Sequence, residues 1–130
     1  MPKPNLLISV LIITFSSCSG LLGDQNTILI KDSSNNNKSK KAVLLQNDGN
    51  ASVDLSLQVS ILDYNYKLSG KEIGNTFTVD RNHGKTKLDS SSIGFNWISN
   101  DTLQIDYDKN LRTFKKEKEI NGVTISYIER

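Results

Sequence analysis

Four oxygen-bearing residues near the C-terminal end have the spacing of a calcium-binding loop. Asp106, Asp108, Asn110 and Glu117 stand at relative places 1, 3, 5 and 12, where such loops put their ligands. The sixth place, which needs glycine for a sharp turn, holds Leu111. The flanking residues also alternate as strands do, so an ordinary hairpin turn over residues 108–110 accounts for the same sequence, and no metal or cofactor is assigned. His83, in Asp80-Arg81-Asn82-His83-Gly84, is the only histidine and so the only imidazole that could serve as a general base near neutral pH. No Gly-x-Ser-x-Gly nucleophile motif accompanies it, and no catalytic residue is assigned. The third candidate is aromatic. Phe95, Trp97, Tyr107 and Tyr127 occupy alternating strand positions, which makes them either a core layer or an exposed surface for a glycan or peptide.

These residues must be positioned by short strands, because period-two alternation is the dominant pattern and no stretch has helical periodicity. Val53, Leu55, Leu57, Val59 and Ile61 alternate with Asp54, Ser56, Gln58 and Ser60, which predicts a strand with one apolar and one polar face. Further strands are expected at residues 27–31, 42–46, 76–80, 93–97, 103–107, 113–120 and 123–129. Asn47-Asp48-Gly49-Asn50 and Asn121-Gly122 are turn sequences, since Asn and Gly tolerate the positive φ of tight hairpins. The polar stretches 32–41 and 81–91 read as loops. Roughly eight short strands imply an all-β fold, a small antiparallel β-sandwich or partly open barrel.

Charge narrows the function classes. The chain has 16 Lys+Arg against 14 Asp+Glu, a net +2, and a mean hydropathy of -0.39. A nucleic-acid binder would show a clustered basic face. Instead the densest basic run, Lys115, Lys116 and Lys118, alternates with Glu117 and Glu119, as an exposed edge does. Such an edge could add a partner strand, although its charges also discourage pairing. Cys18 is the sole cysteine, so no intramolecular disulfide supports the fold.

The N-terminal residues are the most specific. Lys3 and the amino terminus form a positive region, and residues 6–15 form an apolar run too short to span a bilayer. Ser16, Ser17, Cys18, Ser19 and Gly20 follow. This order resembles the signal and lipobox of bacterial lipoproteins, with Phe15 where an aliphatic residue is usual. The resemblance implies removal of residues 1–17, a diacylglycerol on the Cys18 sulfur with a further acyl chain on its amine, and a lipid-anchored protein of the cell envelope. Two or more acyl chains anchor stably where one does not. Ser19 is not the aspartate of an inner-membrane retention signal, which favours the outer membrane, facing the periplasm. The expected organisation is a signal at 1–17, a lipidated tether at 18–26 and one β domain at 27–130.

From Lys41 onward, Ala42-Val43, Asp48, Ala51, residues 59–62, Gly74-Asn75, Phe77, Trp97, Leu103-x-Ile105-x-Tyr107, Phe114 and Gly122-Val123-x-Ile125-x-Tyr127 resemble a group of small uncharacterised exported bacterial proteins. In that pattern the turn before the long strand is richer in Arg, Cys and Gly, whereas here Asn47, Gly49 and Asn50 stand, and the group implies no activity. The expectation is therefore a non-enzymatic envelope domain that binds a protein or glycan partner; the alternative is a small hydrolase or accessory enzyme using loop carboxylates.

Overall fold

The computed structural model describes residues 27–49 and 53–130. The expected signal, Cys18 and the tether lie outside the described residues. Among the described residues nine strands follow one another without an intervening helix: β1 (Thr27–Ser34), β2 (Lys40–Asn47), β3 (Ser56–Asp63), β4 (Phe77–Asp80), β5 (Ile93–Ser99), β6 (Thr102–Tyr107), β7 (Arg112–Lys116), β8 (Glu119–Ile120) and β9 (Val123–Glu129). They form a five-stranded sheet in the order β1-β2-β3-β4-β7 and a four-stranded sheet in the order β5-β6-β9-β8. The fold is thus an all-β sandwich rather than a closed barrel.

The pairing is antiparallel except between β6 and β9, which run parallel with Leu103 opposite Ile125 and Ile105 opposite Tyr127. A single strand expected over residues 113–120 would have made a long hairpin with β9. The chain instead changes sheets at residues 117–118. The Glu117 N–H donates to Thr76 O beside β4 at 2.9 Å, and the Ile125 N–H donates to Lys118 O at 2.9 Å, so β7 serves one sheet and β8 the other. Asn121 and Gly122 do form the expected turn, with φ of 51° and 77°.

The core lies between the sheets. Leu44, Leu57, Val59, Ile61, Phe77 and Val79 face Ile93, Leu103, Ile105, Tyr107, Val123 and Ile125, and all are buried. Full burial of each large aliphatic side chain stabilises the fold by about 1.5–3 kcal/mol before entropy is counted. One edge is sealed by hydrogen bonds between β1 and β5: Lys31 Nζ donates to Ile93 O at 2.8 Å, and Trp97 Nε1 donates to Ser33 O at 2.9 Å.

The long alternating segment departs from expectation at its start and on its polar face. Strand β3 begins at Ser56, not Val53, because the chain folds back after Asn47. Gly49, at φ +73°, sits so close to the Val53 carbonyl that a Cβ there would lie 2.1 Å from it. Val53 is consequently exposed. The polar face of β3 is also buried: Ser56, Gln58 and Ser60 are all 8% exposed or less. Residues 64–75 form a strap across that face. The Gly74 N–H donates to Gln58 Oε1 at 2.6 Å, the Asn75 N–H to Ser60 Oγ at 3.0 Å, and Thr27 Oγ1 to Glu72 O at 3.0 Å. Val43 and Leu45, opposite Ser60 and Gln58 on the same face, are buried beneath it.

Candidate functional site

Beyond the strap, the outer face of the five-stranded sheet holds a groove of about 370 Å³. Its floor is Ser56 and Gln58 of β3 with Thr78 and Asp80 of β4, which cross-strand pairing sets side by side. Val53 and Asp54 form one wall, and Arg112 and Phe114 of β7 the other. The register between β4 and β7 shifts, with Thr78 opposite Lys115 and Val79 opposite Thr113. Phe114 is thus the extra residue of a bulge, a feature that re-aims a side chain, and it is 60% exposed.

Two arginine–carboxylate pairs frame the groove. Arg112 Nε donates to Asp80 Oδ1 at 3.1 Å, and Nη2 also donates to that carboxylate. The Arg112 guanidinium lies 4.7 Å from the centre of the Phe114 ring, a cation–π contact. Arg81 holds Asp54 through both Nε and Nη2. For Asp54 the Arg81 hydrogen bond is the main reason that its pKa falls below the ordinary value. For Asp80 burial pushes the carboxyl up, but hydrogen bonds from Arg112 and the Asn82 N–H, with the Arg112 charge, outweigh it and hold the pKa low.

His83 belongs to this cluster. Asn82, His83 and Gly84 have φ of 52°, 59° and 78°, a left-handed turn that is unfavourable for histidine. Asp80 Oδ1 accepts the Asn82 N–H at 2.9 Å, and the turn brings His83 Nε2 within 3.0 Å of Arg112 Nη1. Since arginine can only donate, the imidazole nitrogen is the acceptor. A second, more open cavity lies between His83, Gly84, Arg81, Asp54 and Arg112.

The other sequence candidates are placed elsewhere. All four aromatics turn inward. Tyr107 is buried in the core, while Phe95, Trp97 and Tyr127 pack against it, so they do not form one exposed surface. Tyr107 and Tyr127 instead stack around Phe77, with ring centres 4.8 and 5.4 Å away. Lys116 Nζ caps the pair and donates to the Tyr107 hydroxyl at 3.0 Å. Burial, then the nearby Glu117 and Tyr107, raises the Tyr127 pKa. The calcium-loop residues do not converge. Asp106 pairs with Arg130 at 2.8 Å, Asp108 Oδ1 accepts the Asn110 N–H at 2.9 Å, and among the described residues no three His, Cys, Asp or Glu side chains gather as a metal site.

Asp54, Asp80, Arg81, Arg112 and Phe114 went unnoticed in the sequence because they lie in three separate segments, without a spacing motif to link them. A general acid needs a raised pKa, whereas both carboxylates are shifted downward. The nearby Ser56 Oγ accepts from Gln58 Nε2 at 3.1 Å rather than meeting a base. Compared with known protein families, curated proteins and solved structures, this chain shows no match.

Proposed function

We propose that this chain is a lipid-anchored, non-enzymatic binding domain of the bacterial cell envelope, with its ligand seated in the groove between Asp54 and Phe114. The anchor reading is supported by the charged, apolar and small-residue segments that precede Cys18. The binding reading is carried by one observation: an exposed phenylalanine stands beside a floor of hydroxyl, amide and carboxylate groups. An apolar wall with a few fixed polar groups is the usual make-up of a ligand site. A glycan meets it well, offering C–H faces to the ring and hydroxyls to the polar floor.

Two measurements test the proposal. Intact mass and membrane fractionation in a bacterial host should give a membrane-bound protein cleaved before Cys18 and carrying acyl chains, with Cys18→Ser found free. An unlipidated, soluble wild type would overturn the anchor. Amide NMR spectra titrated with solubilised envelope glycans should show shifts at Gln58, Thr78 and Phe114 that are lost in Phe114→Ala. Shifts confined to other surfaces would overturn the groove as the site.

A further inference from the structure

The two sheets carry opposite charge. The strands of the five-stranded sheet hold six Lys or Arg side chains against three Asp. Those of the four-stranded sheet hold one Asp and two Glu and no basic residue. The near-neutral total therefore hides an uneven distribution of charge between the strands of the two sheets.

The strap adds apolar side chains to the five-stranded sheet. Ile73 is 79% exposed, Tyr64 and Tyr66 of the same segment are 38% and 43% exposed, and Leu29 of β1 is 43% exposed. Lys67 and Lys71 also lie in the strap, and Lys41 Nζ donates to Tyr66 O at 2.6 Å. The one acid in that segment, Glu72, is bonded within the strap, accepting from the Gly70 N–H at 3.0 Å and Ser69 Oγ at 2.9 Å. Isolated exposed isoleucine is ordinary. Isoleucine, leucine and tyrosines ringed by lysines have the composition of an interfacial membrane contact.

The chain's entry point says what covers this surface. Thr27, the first described residue, is bonded to the strap twice: its N–H donates to Gly70 O at 2.8 Å and its Oγ1 to Glu72 O at 3.0 Å. About nine residues connect Cys18 to Thr27, so even fully extended they hold the strap within about 30 Å of a lipid on Cys18.

We infer that the strap face, centred on Ile73 with Tyr66, Leu29 and the lysines 41, 67 and 71, docks on the surface of an anionic phospholipid bilayer. This rests on the lipid-anchor reading above. Docking inserts Ile73 among the headgroups, turns the acidic sheet to the aqueous side, and holds the groove of β3, β4 and β7 low over the membrane. A juxtamembrane lysine gains about 1 kcal/mol from an anionic surface, equivalent to about fivefold per side chain.

The test uses the full lipidated protein in vesicles of phosphatidylethanolamine and phosphatidylglycerol, with phosphatidylcholine vesicles as the neutral comparison. An environment-sensitive fluorophore is placed on Ile73→Cys and, separately, on Ile98→Cys of the opposite sheet. On anionic vesicles the label at 73 should be blue-shifted and shielded from aqueous quenchers, while the label at 98 stays wet. Reversing both strap lysines (Lys67→Glu with Lys71→Glu) should lower the docked-to-undocked ratio by at least about thirtyfold. Flotation and intact mass separate the two readings. Protein that floats with its lipid while the label at 73 remains as wet as that at 98 overturns docking alone. Protein that carries no lipid and does not float overturns the anchor, and docking with it. Equal shielding on phosphatidylcholine would overturn the anionic requirement.

Discussion

The outer faces of the two sheets start from the same kind of sequence and end differently. On β6 and β9, Gln104 and Ser126 stand opposite one another, as do Thr102 and Thr124; these side chains remain at least partly exposed. On β3, Ser56, Gln58 and Ser60 alternate just as regularly with aliphatic residues, yet all three are buried. At Gln58 and Ser60 the strap makes the difference, since its backbone N–H groups bond to both. Alternation therefore reports which residues share a face, not whether that face meets water. A polar face becomes a second buried layer wherever a connection crosses it and supplies partners for its polar groups.

The sharpest way to break the comparison is to remove what joins the sheets. Phe77 contributes from β4 to an aromatic cluster completed by Tyr107 and Tyr127 of the other sheet. Phe77→Ala should cost about 4 kcal/mol, read as a lower urea midpoint with unchanged slope; a loss below about 1 kcal/mol would mean that the cluster does not hold the sandwich together.

A matched glycine pair then sets one outer face against the other. A Cβ on Gly74 would lie 2.6 Å from the Gln58 Cβ, which is fixed on β3 beneath the strap; the nearest atoms to one on Gly94 are those of the Asp106 carboxylate, the far end of a side chain. Gly74→Ala should cost about 2 kcal/mol and raise hydrogen exchange at residues 64–75, whereas Gly94→Ala should cost under about 1 kcal/mol. Equal costs would remove the distinction between a strapped and an open face.

Acid should act on the strapped side. Asp80 has a folded pKa below its unfolded value, so its stabilisation is complete above the unfolded pKa of about 3.9 and is lost as pH falls through the folded value. Asp80→Asn should destabilise the protein by about 1.5 kcal/mol near neutral pH and flatten the acid limb of its stability profile. An unchanged acid limb would place the linkage on another carboxylate. The smallest effect is expected at Gln104→Ala on the open face, within about 0.5 kcal/mol, checked by the same denaturation curves.

Much of the fold was legible because its signals are local. Ile93, Phe95 and Trp97 alternate, as do Leu103, Ile105 and Tyr107, and both sets lie on strands near the expected positions. The Asn121-Gly122 turn follows from backbone sterics alone. The break between β7 and β8 was not legible, because the alternation of Lys and Glu over residues 116–119 continues unbroken through the change of sheet. The site was less visible still. His83 stood out by residue type, but its contact with Arg112 spans 29 residues, and Asp54 and Phe114 have no local feature to join them.

The sequence by itself determined the strand class and the turn at Asn121-Gly122, since each depends on residues within a few positions of one another. Tertiary structure alone decided that the four aromatics turn inward, that the polar face of β3 is covered, that the basic strands collect on one sheet, and that Asp80, His83 and Arg112 meet. Those outcomes depend on which strands pair and where a connection crosses. Pairing is selected by burial and hydrogen bonding summed over the whole chain, a quantity that no short window of residues contains.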